Sequence, residues 1–99
     1  MDLKLIWTQP AIDQLGEIIR YIGRHNAAAA PGLGQRLLKR VEITTAFPEI
    51  GPLYFPAASA GIRCLIEGKI RIYYRVNPAN RSVEILALRH TARAQPDFS

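Results

Sequence analysis

The chain begins with an alternation of side-chain character that is typical of a short strand. Leu3, Leu5 and Trp7 are separated by single residues, so their side chains lie on one side of an extended backbone. Thr8 follows as a candidate N-cap, and Pro10 stands where the first turn of a helix tolerates proline. The pattern predicts a strand that leads directly into a helix.

Two segments with apolar residues at helical spacing come next. The first covers one helical face and comprises Ala11, Leu15, Ile18, Ile19 and Ile22. The second comprises Leu33, Leu37, Leu38 and Val41. Because Pro31 lacks an N–H and its ring clashes with a preceding helical turn, the second helix is expected either to kink there or to begin at Pro31. A few residues join the two helices, which predicts an antiparallel helical hairpin.

Three strands are predicted after a loop over residues 48–60, which are rich in proline, glycine and alanine. The strands cover residues 62–66, 70–76 and 83–88, and tight turns at 67–68 and 77–80 connect them. The order is therefore β-α-α-β-β-β in a single domain over residues 1–99. This order predicts an α+β fold in which the helical hairpin packs on one face of a mostly antiparallel sheet.

The strand at 70–76 separates an apolar side from a basic side. The apolar side, expected to meet the helices, holds Ile70, Ile72, Tyr74 and Val76. Arg71, Tyr73 and Arg75 then line an open face that is basic and partly aromatic. Surfaces rich in arginine and aromatic side chains bind partners well, so this face is a candidate contact surface.

Charge is concentrated in the second half of the chain. The formal net charge is +5. Residues 1–50 hold six basic and five acidic side chains, whereas residues 51–99 hold seven basic and three acidic ones. Six of those seven bases are arginine, which recognises phosphate and carboxylate groups in a bidentate manner. The second half is therefore expected to meet an acidic partner or nucleic acid.

Other classes of protein find little support in the sequence. The single Cys64 excludes an internal disulfide and suits a reducing cytosol, so a cytoplasmic location is expected. No apolar run is long enough to span a membrane, and the N-terminal residues do not resemble a signal peptide. His25, His90 and Cys64 do not form a zinc-binding pattern, and there is no glycine-rich phosphate loop. No metal and no cofactor are expected.

Several short pieces, in order along nearly the whole chain, resemble the RelE/ParE toxin superfamily and most closely its ParE branch. The pieces are Trp7-Thr8-Gln9-Pro10-Ala11 leading into Leu15, Ile18 and Tyr21-Ile22; Asn26 with Ala28-Ala29; Phe47-Pro48-Glu49-Ile50-Gly51; Gly61-Ile62-Arg63; Tyr73-Tyr74-Arg75-Val76; and His90-Thr91-Ala92-Arg93. The resemblance implies the toxin of a type II toxin–antitoxin module. It also implies a ParD-like antitoxin partner, whose disordered tail folds over the toxin in a hetero-oligomer.

The resemblance allows two kinds of target. ParE-like members poison DNA gyrase, whereas RelE-like members cut messenger RNA on the ribosome. The RelE-type cleavage residues correspond here to Arg63, Leu65, Arg71 and Thr91. An arginine is a poor proton shuttle because its pKa lies above about 12, and leucine is no shuttle at all. Gyrase binding without an enzymatic reaction is therefore expected.

Two alternatives remain open from the sequence. One is a ribosome-dependent ribonuclease that uses His90 together with Arg71 and Tyr74, since histidine titrates near neutral pH. The other is an inactive toxin that only binds its antitoxin, which the glycines and proline near the start of the second helix favour.

Both binding surfaces can be assigned to residues as expectations. The target-binding set comprises Arg63, Arg71, Tyr73, Arg75, Arg89 and Arg93. Arg63 alternatively holds the loop at 52–60 in place. An acidic, amphipathic antitoxin segment is expected to pack on Leu33, Leu37 and Val41, with its acidic groups near the arginines.

Overall fold

The computed structural model describes residues 3–91, and the predicted order of elements is confirmed. A 3-10 helix at Phe55–Ala60 lies between the second helix and the second strand. The other elements are β1 (Lys4–Trp7), α1 (Gln9–His25), α2 (Ala30–Ala46), β2 (Ile62–Glu67), β3 (Ile70–Asn77) and β4 (Ser82–His90).

The four strands form one mixed sheet with the spatial order β1-β4-β3-β2. Strands β2, β3 and β4 are antiparallel neighbours, whereas β1 pairs in parallel with the first half of β4. The parallel pair is possible because a long connection, the helical hairpin, follows β1 and carries the chain to the opposite edge of the sheet, where β2 lies. The register between β3 and β4 shifts between Tyr73 and Tyr74, at an irregularity in the ladder.

The second helix begins at Ala30, so Pro31 lies in its first turn. This agrees with the second of the two expectations for Pro31. The first N–H groups of a helix have no intrahelical acceptor, and a proline there removes no hydrogen bond. Further along, a Cβ placed on Gly34 would lie 3.4 Å from Cδ1 of Ile19, so the two helices approach closely at this glycine.

The expectation that Thr8 caps α1 through its side chain is wrong. Thr8 occupies the N-cap position, but its hydroxyl makes no capping hydrogen bond. Thr8 Oγ1 instead donates to the carbonyl of Ile85 in β4 at 2.7 Å. The side chain therefore ties the β1–α1 junction to the sheet.

The main core lies between the helices and one face of the sheet, which we call the helix face. The expected inward set on β3 is confirmed, since Ile70, Ile72 and Tyr74 are buried and Val76 packs against them. Trp7 packs against the same core from β1.

Candidate functional site

The three leucine and valine residues expected to contact the antitoxin are part of the core. Leu33 is 9% exposed, and Leu37 and Val41 are fully buried. They form the stripe of α2 that faces the sheet, and helical periodicity alone cannot distinguish a stripe that packs internally from one that awaits a partner. The expectation that they form the antitoxin surface is therefore wrong.

The sheet face opposite the helices, which we call the outer face, is partly covered. Tyr73 lies on this face of β3 but is fully buried, and its ring packs edge-to-face against Tyr54 with the centroids 5.0 Å apart. Tyr54, Ile62, Tyr73 and Ala87 form a second small core with Ala57, which belongs to the 3-10 helix. The expectation of an exposed Tyr73 is wrong because the loop after α2 folds over the middle of this face.

The thiol and hydroxyl groups at the centre of the outer face are kept protonated by burial. Burial raises the pKa of the Cys64 thiol, and the nearby charge of Arg71 only partly opposes this effect. Burial also raises the pKa of the Tyr73 hydroxyl, with Cys64 adding to the increase and Arg71 opposing it. Neither group is prepared for nucleophilic chemistry at neutral pH.

Arg63 holds a loop in place, the structural alternative considered above. Its Nη1 donates to the carbonyl of Gly51 at 2.8 Å, and a β-bridge joins Arg63 to Leu53. Tyr74 fastens the same loop from the core, because its hydroxyl accepts from the Gly51 N–H at 2.9 Å and donates to the carbonyl of Pro48 at 2.8 Å. Both side chains are thus occupied by the segment that follows α2.

Arg75 is neutralised by an acidic neighbour that the sequence analysis did not single out. Its Nε and Nη2 donate to Oε1 of Glu84 at 3.1 and 3.0 Å across the β3–β4 ladder. Asn77 also contacts the second carboxylate oxygen at 3.3 Å. The hydrogen bonds from Arg75 and Asn77 lower the pKa of Glu84. The signal for this pair was the register of the β3–β4 hairpin, which places residues 75 and 84 opposite each other.

Arg71 and Arg89 lie directly opposite each other on the outer face. Lys69, which is exposed, precedes Arg71 by two residues. Within residues 3–91 no carboxylate forms an ion pair with any of these three side chains. Like charges directly opposite each other in a sheet are destabilising, so the Arg71–Arg89 pair is expected to reduce the stability of the sheet. Arg93, the remaining member of the expected target-binding set, lies outside the described residues.

The candidate ribonuclease residues do not converge. Arg71 lies on the outer face, whereas Tyr74 lies on the helix face with its hydroxyl bound to the Pro48–Gly51 loop. Burial raises the pKa of Tyr74, opposed by the Gly51 N–H and by the charges of Arg63 and Arg40. His90 stands at the far end of β4 and lines a groove of about 220 Å³ against α1. A concerted acid–base reaction needs these groups within reach of one phosphate, and the sheet separates Arg71 from Tyr74 and His90.

Exposed apolar side chains mark another part of the surface that the sequence analysis missed. Ile43, Phe47 and Ile50 are 38%, 65% and 41% exposed, and a shallow depression covers Ala46 to Ile50. Arg36, Arg40, Ile43 and Phe47 follow one another at spacings of four, three and four residues, so they lie along one face of α2 and its C-cap. We call this set the α2 ridge. The helical spacing of these residues is visible in the sequence, but the sequence alone does not distinguish Ile43 and Phe47 from residues of the core.

The described residues contain neither a cluster of metal-binding side chains nor a membrane-spanning helix. Between residues 3 and 91, histidine, cysteine and acidic side chains form no group of three or more that could hold a metal ion. Neither α1 nor α2 has the length and apolar character required to cross a membrane.

The sequence and the fold both match known toxins. The family model described as the ParE toxin of the type II toxin–antitoxin system parDE matches residues 5–95. The chain belongs to the ParE toxin family. This family consists of the toxins of type II toxin–antitoxin systems.

Solved structures share this toxin fold. The chain is similar to a structure described as the chromosomal ParDE toxin–antitoxin system from P. aeruginosa, with a TM-score of 0.74, 22% identity and coverage of 89% of this chain and 95% of that chain. It is also similar to a structure of the toxin–antitoxin complex RelBE2 from Mycobacterium tuberculosis, with a TM-score of 0.67, 19% identity and coverage of 94% and 95%. A search of the curated proteins found no significant match.

Proposed function

We propose that this ParE-family toxin acts in the cytosol by binding DNA gyrase and trapping it on cleaved DNA, without an enzymatic reaction of its own. The family match over residues 5–95 is the observation that carries the proposal. The positions of Arg71, Tyr74 and His90 support it, because Arg71 lies on the opposite face of the sheet from Tyr74 and His90.

The target contact in this proposal is the end of the outer face that carries Arg71 and Arg89. Both side chains are partly exposed and have no acidic partner among the described residues. Arg75 contributes less because Glu84 neutralises it, and Arg63 contributes less because it binds the Gly51 carbonyl. Arg93 belongs to the target-binding set by sequence alone.

A supercoiling assay with purified gyrase tests this function. The wild-type toxin is expected to inhibit supercoiling and to accumulate linear, protein-linked DNA. Arg71→Gln is expected to lose most of this effect, whereas Lys39→Gln, which removes the same charge from an exposed site on α2, is expected to retain it. Full supercoiling activity in the presence of excess folded wild-type toxin would exclude gyrase as the target.

We also propose that a separate, ParD-like antitoxin neutralises the toxin and contacts the α2 ridge. The two structural matches come from toxin–antitoxin systems. The ridge combines an exposed apolar surface at Ile43 and Phe47 with the positive charges of Arg36 and Arg40. An amphipathic segment with apolar residues on one side and acidic residues beside them complements this arrangement.

Titration of the toxin with its antitoxin tests the second proposal. Phe47→Ser removes the most exposed apolar side chain of the ridge, so it is expected to weaken binding by about tenfold or more, the loss of a contact worth about 1.4 kcal/mol. Ile12→Ser is the matched control, because Ile12 is an exposed apolar residue on α1. If both variants bind the antitoxin as tightly as the wild type, the ridge is not its contact surface.

A further inference from the structure

Arg71 and Arg89, at one end of the outer face, form no ion pair with a carboxylate of residues 3–91. Directly opposite residues of an antiparallel ladder have Cα atoms only about 4.5–5.5 Å apart, and Arg71 and Arg89 occupy such a position. The side chains of Arg71 and Arg89 therefore start from neighbouring backbone positions, and among residues 3–91 no carboxylate forms an ion pair with either. In contrast, Arg75 in the same strand forms an ion pair with Glu84.

Packing restricts the freedom of this pair. Arg71 lies close enough to the half-buried Cys64 and the buried Tyr73 side chains to influence the pKa of both. The part of the Arg71 side chain nearest the backbone therefore lies beside the second small core, while the rest of the side chain remains partly accessible. The two strands hold Arg71 and Arg89 close together before any ligand arrives, so an anion that binds between them does not have to bring the charges together.

The arrangement favours phosphate over carboxylate. One arginine can satisfy a planar carboxylate through two parallel hydrogen bonds. In the Arg75–Glu84 pair, Nε and Nη2 both donate to Oε1, and Asn77 binds the other oxygen. Two guanidinium groups from neighbouring strands present donors from two sides, which suits the tetrahedral oxygens of a phosphodiester. Lys69 lies in the turn between β2 and β3, two residues before Arg71, so its long side chain is near enough to reach a second phosphate of the same backbone.

We propose that Arg71 and Arg89 form a clamp for a backbone phosphate of DNA and that Lys69 contacts a neighbouring phosphate. The choice of DNA rests on the proposed function, since gyrase presents a DNA duplex to anything bound at its surface. The clamp contacts no base, so it binds duplexes of different sequence about equally well. In the complex with gyrase, it would add a contact to the enzyme's DNA beside the contacts to the enzyme itself.

Salt-dependent binding of the isolated toxin to a short fluorescein-labelled DNA duplex tests the clamp without gyrase. Each phosphate contact contributes about 0.9 to the slope of log K against log salt concentration. Arg71→Gln and Arg89→Gln are each expected to reduce this slope by about 1 and to weaken binding equally for different sequences. Lys39→Gln removes one positive charge from the helix side and is expected to leave the slope unchanged.

The comparison of probes determines the ligand class. Equal slopes for all variants, or no binding of the duplex by the wild type, would overturn the clamp. Binding of a poly-glutamate peptide but not of DNA would show that the site takes acidic protein. Preference for an RNA strand of the same sequence over the duplex would overturn the choice of DNA. Inhibition of gyrase by a toxin that does not bind DNA would refute the clamp and leave the proposed function intact. DNA binding without any effect on gyrase would refute the proposed function and leave the clamp intact.

Discussion

Gly51 is the position at which a single methyl group is expected to cost the most stability. A Cβ placed on Gly51 would lie 2.9 Å from the Tyr74 hydroxyl oxygen, 3.0 Å from Cε1 of the same ring and 3.1 Å from the carbonyl oxygen of Cys64. The ring is fully buried and the carbonyl belongs to β2, so neither can move away freely. Gly51→Ala must therefore push the loop off the sheet or displace Tyr74.

The magnitude follows from two contributions. Overpacking of a well-filled interior costs about 1–3 kcal/mol. Displacement of the loop also weakens the hydrogen bonds that Gly51 makes with Tyr74 and Arg63, and each such bond contributes about 1 kcal/mol net. We expect a loss of about 2–4 kcal/mol in the free energy of unfolding. For a chain of this size that is a decrease of Tm on the order of 10–30 °C.

Chemical and thermal unfolding, followed by circular dichroism, measures this loss. Gly32→Ala is the matched control, because its added Cβ meets only the end of the flexible Arg36 side chain and it improves helix propensity by about 1 kcal/mol. In a Tyr74→Phe background, Gly51→Ala is expected to cost less, since the closest clash and one hydrogen bond are already absent. A Gly51→Ala variant as stable as wild type, or equal costs in both backgrounds, would refute the reasoning.

Three further predictions test other parts of the structure. Leu37→Ala is expected to lower the free energy of unfolding by about 2–5 kcal/mol because Leu37 is fully buried. Leu38→Ala, at a site that is 46% exposed, is expected to change it far less. Equal effects of the two variants in urea unfolding would contradict the assignment of Leu37 to the core stripe of α2. Because the pKa of Glu84 is lowered in the folded state, its pair with Arg75 stabilises the protein above the unfolded value of 4.5 and loses that effect as the pH falls. Glu84→Gln is expected to make the free energy of unfolding fall less below pH 4.5, by no more than about 1 kcal/mol. An unchanged decline would argue against the pair. Gly34→Ala is expected to be neutral or stabilising by up to about 1 kcal/mol, since the new methyl group reaches Ile19 at an ordinary contact distance of 3.4 Å; a clear decrease in Tm would show that the helices are packed too closely to accept it.

The sequence alone determined the elements and their order, because these depend on local periodicity. The alternation at Leu3, Leu5 and Trp7 and the helical spacing from Ala11 to Ile22 are properties of neighbouring residues, and both predictions are confirmed. The inward orientation of Ile70, Ile72 and Tyr74 also follows from the two-residue period of a strand. Net charge and the arginine content of the second half were likewise readable before folding.

Only the tertiary structure decided which of these residues are accessible. Tyr73 and Leu37 are buried because segments distant in sequence cover them, the loop after α2 in one case and the sheet in the other. The same long-range packing pairs Arg75 with Glu84 and leaves Arg71 opposite Arg89. Periodicity determines the face on which a side chain lies, but burial and charge compensation depend on what covers that face, and this requires contacts between residues far apart in the chain.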